Sequence, residues 1–259
     1  MHVKSFLFAT IGFALLALSS CKKDEDTTTT PTPTTPAVDP YGKVAVTFTN
    51  EIDGQALATT GTWYTNPAGN PYNISLLKYY VTNFTLVKED GSEKNFKTYK
   101  LIDGSDATTG KFTLDSVANG AYTAVKFYLG VDSARNHTGA QEGDLDPIHG
   151  MIWTWSTGYI FFKHEGQYKD ATGTAKSLLL HLGTDAALAS ITVPVTKFEV
   201  KGNTRNLFLK LNLNSLYASP NSIDFNVDNS RMSTASGDRR WIAEMVGNAT
   251  DAFTFDKVQ

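Results

Sequence analysis

Hydrophobic and polar side chains alternate along most of the chain, which is the pattern of half-buried β-strands. The second half of Asn73–Lys88 alternates well, so that Phe84 and Leu86 would share one face of a sheet. Val, Thr, Tyr and Phe dominate such runs, as pleated sheets favour. Further strands are predicted at Val44–Thr49, Lys97–Leu101, Lys111–Leu114, Ala121–Leu129, Tyr159–Glu165, Ala175–Gly183, Ala189–Val200 and Thr204–Leu213.

Turn signals separate several of these strands, whereas helix signals are few. Glu89–Ser92 is typical of a hairpin turn. A helix is predicted at Asp238–Met245, with Asp238 as its N-cap, and a short helical turn at Ser215–Tyr217. No alternation of strands and helices is visible, which argues against Rossmann and TIM-barrel folds. The pattern predicts an all-β protein: an antiparallel β-sandwich, Greek-key-like, with long functional loops and little helix.

The N-terminus is predicted to direct export. Phe6–Leu18 is an apolar run of signal-peptide length, and Leu18-Ser19-Ser20-Cys21 resembles the lipobox of bacterial lipoproteins. An ordinary signal peptide with a coincidental cysteine is the alternative. Because Cys21 is the only cysteine of the chain, we predict that it is lipidated. The predicted organisation is a lipoprotein signal peptide at 1–20, a lipidated Thr/Pro-rich tether at 21–42 and a β-sandwich domain at 43–259.

The segment after the lipobox gives an indication of where in the cell the protein is located. Residues 22–26, KKDED, resemble the surface-export signal of Bacteroidota lipoproteins, although a solvated start to a tether is an alternative. Residues 27–40 are mostly Thr and Pro, which keep a chain extended and without a core. We therefore predict attachment to a membrane through the lipid anchor. The expected location is the cell envelope, as an outer-membrane lipoprotein facing the periplasm or the cell surface.

Composition removes several classes of protein. The chain has 259 residues, a net charge of −3 and one Cys. A single cysteine excludes disulfides within the chain and Cys-rich zinc or iron–sulfur sites. Without a broad basic excess, nucleic acid is not expected as a partner. The sequence has no nucleophile elbow, phosphate loop, HExxH motif or dinucleotide fingerprint. We therefore expect a binding protein and not an enzyme.

Residues 127–168 differ in composition from the rest of the chain. They hold three of the five His and two of the four Trp, around a long loop rich in Gly, Asn and Asp. Loops of this length are usually functional. The notable motifs are Leu129-Gly130-Val131, Asn136-His137, Asp144–Pro147, Gly150–Trp155, Gly158-Tyr159, Leu180–Gly183 and, earlier, Tyr79–Phe84. In this order they resemble the MbnP-like family over about residues 43–256, essentially the whole folded part.

The resemblance implies a mainly β fold and copper as the cofactor. Characterised members of that family bind a single copper through two His and an oxidised Trp, present as kynurenine. A dihaem enzyme makes that oxidation, so the resemblance implies a dihaem peroxidase-like partner; an outer-membrane transporter is the other expected partner. Some copper-binding relatives place a His two residues after the modified Trp, whereas Trp155 and Thr157 stand two residues after the tryptophans here.

Imidazole binds both copper oxidation states, and a thioether suits Cu(I). On these grounds the candidate metal ligands are His137, His149, His181 and Met151. Met151 would approach the metal of His149 if the backbone between them is extended. Trp153 and Trp155 are candidates for kynurenine or for shielding the site. Each has an alternative: the loop histidines could be solvated, His181 could be a core residue, and both tryptophans could be core packing.

This region also contains a group of acidic residues and a fourth histidine. Glu142, Asp144 and Asp146 are alternate acidic residues that could offer oxygens to calcium, although a solvated or turn-forming loop is the simpler interpretation. His164 is expected at the surface, at a strand end. The sequence thus predicts a cell-envelope lipoprotein that binds one copper for capture, storage or delivery. The alternative is a non-metal surface module for a glycan or protein ligand, which exposed aromatic side chains would favour.

Overall fold

β-Strands make up most of the part of the chain that the computed structural model describes, residues 39–154, 157–234 and 238–259. The strands are β1 (Tyr41–Ile52), β2 (Gln55–Ala56), β3 (Tyr64–Thr65), β4 (Pro71–Lys88), β5 (Glu93–Asn95), β6 (Tyr99–Asp103), β7 (Lys111–Ala118), β8 (Gly120–Leu129), β9 (Ile152–Thr154), β10 (Gly158–Lys169), β11 (Ala175–Gly183), β12 (Ala189–Val200), β13 (Thr204–Asn212), β14 (Ser230–Arg231) and β15 (Phe253–Val258). The predicted signal peptide at 1–20, Cys21, the tether up to residue 38 and Trp155 lie outside the described residues.

Helical structure is short, apart from one C-terminal helix. The helices are α1 (Ser133–Asn136) and α2 (Arg239–Ala252), and 3₁₀ turns lie at Gly143–Leu145, Pro147–His149, Asp185–Ala187 and Leu213–Tyr217. The α2 helix continues past the predicted end at Met245, and Trp241 and Met245 are buried. No helix among the described residues has the length and apolar character needed to cross a membrane.

The strands form two sheets, and the predicted all-β sandwich is confirmed. In the smaller sheet, β1 pairs with β2, β7 and β13, and β15 pairs with β13. In the larger sheet, β12 pairs with β8, β8 and β10 pair with β4, and β11 lies between β10 and β14. Most pairs are antiparallel, but β1–β13 and β11–β14 are parallel, so both sheets are mixed. The alternation of side chains defines the faces of a strand but not its partner or direction, so the sequence does not predict the parallel pairs.

The long strand β4 organises the larger sheet. Tyr79 pairs with both Phe162 of β10 and Ile102 of β6, and Val81 pairs with both Leu129 of β8 and Lys100 of β6. Since β6 occupies one edge of β4, β10 and β8 must follow one another along the other edge. The end of β8 and the start of β10 meet along this edge of β4, and the chain leaves the sheet at the first and returns to it at the second. The intervening residues therefore lie next to the strands they connect.

The space between the sheets is filled by aromatic rings. Phe48 of β1 lies 5.3 Å from Phe127 of β8 and 6.3 Å from Phe84 of β4, between ring centroids. Phe253 of β15 lies 5.1 Å from Phe127. All four side chains are at most 3% exposed. Edge-to-face packing of this kind adds to the free energy of apolar burial, so this cluster is a main contact between the two sheets.

Candidate functional site

A second buried layer lies on the outer face of the larger sheet, under residues 130–154, here called the covering segment. Tyr159 of β10 donates a hydrogen bond to the Leu145 carbonyl (2.6 Å), and Tyr80 of β4 donates to the Asp144 carbonyl (3.0 Å). Leu145 and Met151 are at most 5% exposed. The covering segment is therefore fixed on the sheet by hydrogen bonds and by its own apolar side chains. It can for this reason hold functional side chains in defined positions.

His181 lies on this outer face, near the end of β11. It pairs in register with Lys163, the neighbour of the inward-facing His164, so its side chain points away from the sandwich core. It is nevertheless only 7% exposed. Its Nε2 lies 2.9 Å from Glu165 Oε1, and Lys163 Nζ lies 3.4 Å from the same oxygen. Burial lowers the pKa of His181 and outweighs the opposing hydrogen bond with Glu165, so the imidazole is neutral at pH 7.

His137 follows α1 and is held by a carboxylate. Its Nε2 lies 3.0 Å and 3.2 Å from the two oxygens of Asp185. Asp185 also accepts hydrogen bonds from Asn136 Nδ2 (2.8 Å) and Ser133 Oγ (3.0 Å). Partial burial alone would raise the pKa of Asp185, but the three hydrogen bonds outweigh it and lower that pKa. Asp185 is therefore a carboxylate at neutral pH that orients the His137 ring.

His149 and Met151 point to different surroundings. His149 ends the 3₁₀ turn Pro147–His149, and its Nε2 lies 3.1 Å from the Gly143 carbonyl. Gly150 follows with φ of 68°, the left-handed conformation that favours glycine. The backbone from His149 to Met151 is therefore not extended, and the shared face that would bring both side chains to one metal is not formed. Met151 is instead 1% exposed within the second layer.

Trp153 lies beside the end of β11. A Cβ added to Gly183 would fall 2.6 Å from Cζ3 of the Trp153 ring, so the indole lies directly against this glycine. Gly183 is two residues after His181 and two residues before Asp185, the partner of His137. Trp153 therefore contacts the short stretch of chain that carries His181 at one end and holds His137 at the other. Trp155, the second candidate, lies outside the described residues.

The partners of the two ring nitrogens distinguish His137, His149 and His181 from His164. In His149 and His181 the Nε2 atom faces an oxygen that can only accept, and in His137 it lies nearer to the Asp185 carboxylate (3.0 Å) than to the Asn136 amide nitrogen (3.4 Å). On this basis we assign the proton to Nε2 and the free lone pair to Nδ1. Within the described residues, no hydrogen bond involves Nδ1 of these three rings. His164 differs, because its Nδ1 lies 2.7 Å from the Tyr217 hydroxyl and its Nε2 lies 3.5 Å from the Asn73 carbonyl.

The prediction that His164 lies at the surface is wrong. It is fully buried in the core, and burial lowers its pKa to about 4. Its ring lies 5.7 Å from that of Tyr72 and 6.1 Å from that of Tyr217, between centroids. The sequence contained the signal, since His164 is two residues after the apolar Phe162 and so shares its face.

The acidic residues of the covering segment serve its local structure. Asp144 pairs with Lys100 Nζ at 2.9 Å and accepts from the Leu101 amide at 3.1 Å. Asp146 caps the turn Pro147–His149 by accepting from the Ile148 amide at 2.9 Å. Glu142 is exposed. The simpler interpretation of this loop, a turn-forming one, accounts for these contacts, and the calcium site stays a prediction.

The described residues form neither a carboxylate-rich metal cluster nor an exposed aromatic face. Within residues 39–154, 157–234 and 238–259, no three His, Cys, Asp or Glu side chains are grouped to hold a metal ion. A site of two His and a modified Trp would not form such a group.

Among the same residues the exposed large aromatic side chains are Tyr41 and Trp63, and Lys169 lies 4.6 Å from the Trp63 ring centroid. They do not form the flat aromatic platform that would favour a glycan-binding face.

Two residues of the site were missed by sequence reasoning, Glu165 and Asp185. Glu165 could have been found only from the register of β10 and β11, which sets it beside His181. Asp185 follows Thr184, whose φ of 70° turns the chain, and nothing in the sequence links it to His137. Both roles depend on long-range pairing, which a single sequence does not reveal.

Comparison with known proteins gives one family. The family model MbnP matches residues 41–234 of this chain. Among solved structures the chain is similar to MbnP from Methylosinus trichosporium, with 20% sequence identity and a TM-score of 0.48, over 74% of this chain and 83% of that chain. No curated protein sequence matches this chain. The family match includes the covering segment and the histidines described above.

Proposed function

The chain belongs to the MbnP family, whose model matches most of its length, and we propose on this basis that it is a copper-binding lipoprotein of the cell envelope. It binds one copper ion for capture, storage or delivery, without turnover. Cys21 is its lipid anchor, and the Thr/Pro-rich tether at 21–42 connects this anchor to the domain. A dihaem peroxidase-like enzyme or an outer-membrane transporter is the proposed partner.

One observation carries the copper proposal: His137 and His181 both present a free Nδ1 while a carboxylate holds their Nε2. Histidines that bind metals usually donate their second ring N–H to such an acceptor, which fixes the tautomer and raises the basicity of the ligating nitrogen. Imidazole is a suitable ligand for Cu(I) and Cu(II). The donor set of this chain therefore fits copper.

The proposed ligands are His137 and His181, together with an oxidised Trp. Trp153 is the better placed of the described residues, because its ring lies against Gly183, which is two residues after His181 and two residues before Asp185, the partner of His137. Trp155 is the other candidate. His149 has the same free Nδ1 and is an additional ligand, whereas the buried Met151 supports the floor of the second layer.

The test is a copper titration of the full-length protein in detergent, with His137→Gln, His181→Gln and His164→Gln as variants. The first two should lower copper affinity by more than about 100-fold, since even the outer partners of metal ligands contribute roughly 10- to 100-fold. His164→Gln is the matched control, because both ring nitrogens of His164 already have partners. It should keep one copper per chain wherever circular dichroism shows it folded.

Wild-type protein that binds no copper in competition with a Cu(I) chelator would refute the proposal. Unchanged affinity in both His137→Gln and His181→Gln would remove these residues from the site. Oxidation of tryptophan is read separately from the tryptic peptide 136–163, which contains Trp153 and Trp155. Kynurenine replaces one ring carbon by oxygen, and fragmentation assigns the mass change to one of the two residues.

A further inference from the structure

A polar cleft of about 570 Å³ lies on the outer face of the larger sheet. Arg135 of α1 lines it, whereas the next residue, Asn136, turns away to bond Asp185. Asn83, Lys97 and Tyr128 lie on its other sides. The cleft has the size of a small-molecule site, and it contains none of the proposed copper ligands.

The floor of the cleft is built from two residues in an unfavourable backbone conformation. Asn83 has φ of 53° and Lys97 has φ of 47°, in the left-handed region that non-glycine residues rarely adopt. The Asn83 amide donates to the Thr98 carbonyl at 2.7 Å, where the register of β4 against β8 shifts. Such conformations persist only where the surroundings enforce them, and they gather at binding sites.

Two polar side chains donate hydrogen bonds to one carboxylate oxygen in this cleft. Asp132 Oδ2 accepts from Tyr99 Oη at 2.5 Å and from Asn83 Nδ2 at 2.6 Å. Burial, with the hydrogen bond to Asp132 as the second cause, raises the pKa of Tyr99 to about 12, so the phenol stays protonated. The Arg135 guanidinium lies 5.6 Å from the Tyr99 ring centroid. These contacts hold the side chains of Asp132, Tyr99 and Asn83 in place without a ligand.

The groups of the cleft that have no partner are of two kinds, hydrogen-bond acceptors and cations. Within the described residues, Asp132 Oδ1 and Asn83 Oδ1 have no donor, and Lys97 Nζ has no ion-pair partner. The Tyr128 hydroxyl, which can both donate and accept, is also free there. A ligand must therefore supply donors to two oxygens and acceptors to two cations, Lys97 and Arg135. Hydroxyl groups can donate to the two oxygens, and a carboxylate can accept from the two cations.

We propose that this cleft binds an acidic saccharide, with a uronate carboxylate at Lys97 and Arg135 and ring hydroxyls at Asp132 and Asn83. A second cleft of about 590 Å³ shares Tyr99 and Arg135, and a third of about 270 Å³ shares Asn83 and Tyr128. The three adjoin in a row. An oligomer of several sugar units fits such a trough better than a single sugar does.

The experiment is isothermal titration of the full-length protein with trigalacturonate, and with maltotriose as the neutral trisaccharide. Trigalacturonate should bind at least about tenfold more tightly than maltotriose, because a charge-assisted hydrogen bond contributes that much or more. Lys97→Met should weaken trigalacturonate binding by about tenfold, and Tyr128→Phe should weaken it to a smaller extent. Lys94→Met is the matched control, since Lys94 is also exposed, on β5, but does not line this cleft.

The proposal is overturned if trigalacturonate does not bind, or if maltotriose binds equally well. It is also overturned if Lys97→Met and Lys94→Met have the same affinity as the wild type. Copper binding is measured on the same samples and should be unchanged by Lys97→Met, which keeps this test separate from that of the copper site.

Discussion

His164 should make the stability of the sandwich depend on pH. Its folded-state pKa of about 4 lies below the value of 6.5 for the unfolded chain, because burial disfavours the imidazolium. Between these two values the unfolded state binds more protons than the folded state. The free energy of unfolding must therefore decrease as the pH falls through this window, and it is retained above pH 6.5.

The size of the effect follows from the two pKa values. A single group with these values lowers the free energy of unfolding by about 2 kcal/mol between pH 7 and pH 5, and by about 3 kcal/mol at pH 4. Such a loss is a large part of the 5–15 kcal/mol, in order of magnitude, that stabilises a typical domain. The effect should thus be visible in ordinary denaturation curves.

The assay is urea unfolding followed by far-ultraviolet circular dichroism at several pH values, for the wild type and for His164→Gln. The variant has a lower stability at pH 7, but it has no group at this position to titrate. His181, whose pKa burial also lowers, and the carboxylates contribute equally to both proteins. The difference between the two pH profiles isolates His164. Parallel profiles from pH 7 to pH 5 would show that His164 is not the titrating group.

Three further outcomes follow from the second layer. Gly183→Ala places a methyl group 2.6 Å from the Trp153 ring and should lower the free energy of unfolding by about 1–3 kcal/mol, read by urea denaturation, with a shift in tryptophan emission. Asp185→Asn should weaken copper binding by roughly 10- to 100-fold through loss of the His137 orientation, read by chelator competition. Asn136→Ala leaves the Tyr159 amide without its acceptor at 2.7 Å and should cost about 1–3 kcal/mol of stability in the same denaturation assay.

Local sequence pattern was sufficient where a strand has one buried face. The predicted limits of β11 and β12 agree with the structure, and in β12 the alternation of buried and exposed side chains begins and ends with the strand itself. The same pattern could not give the parallel partner of β1, which lies far along the chain. Nor could it show that the outward-facing His181 is buried, because that depends on how distant parts of the chain pack against β11.

The histidines proposed as copper ligands and the core histidine differ in what their loss should do. His164 uses both ring nitrogens inside the sandwich, so its removal affects the core directly. His137 and His181 stand on the outer face, and each uses only Nε2 for the fold. A glutamine at either position can keep an N–H donor for the carboxylate while it removes the Nδ1 lone pair. Copper affinity and folding should therefore separate in these variants, which makes a loss of copper in a folded His181→Gln protein direct evidence for coordination.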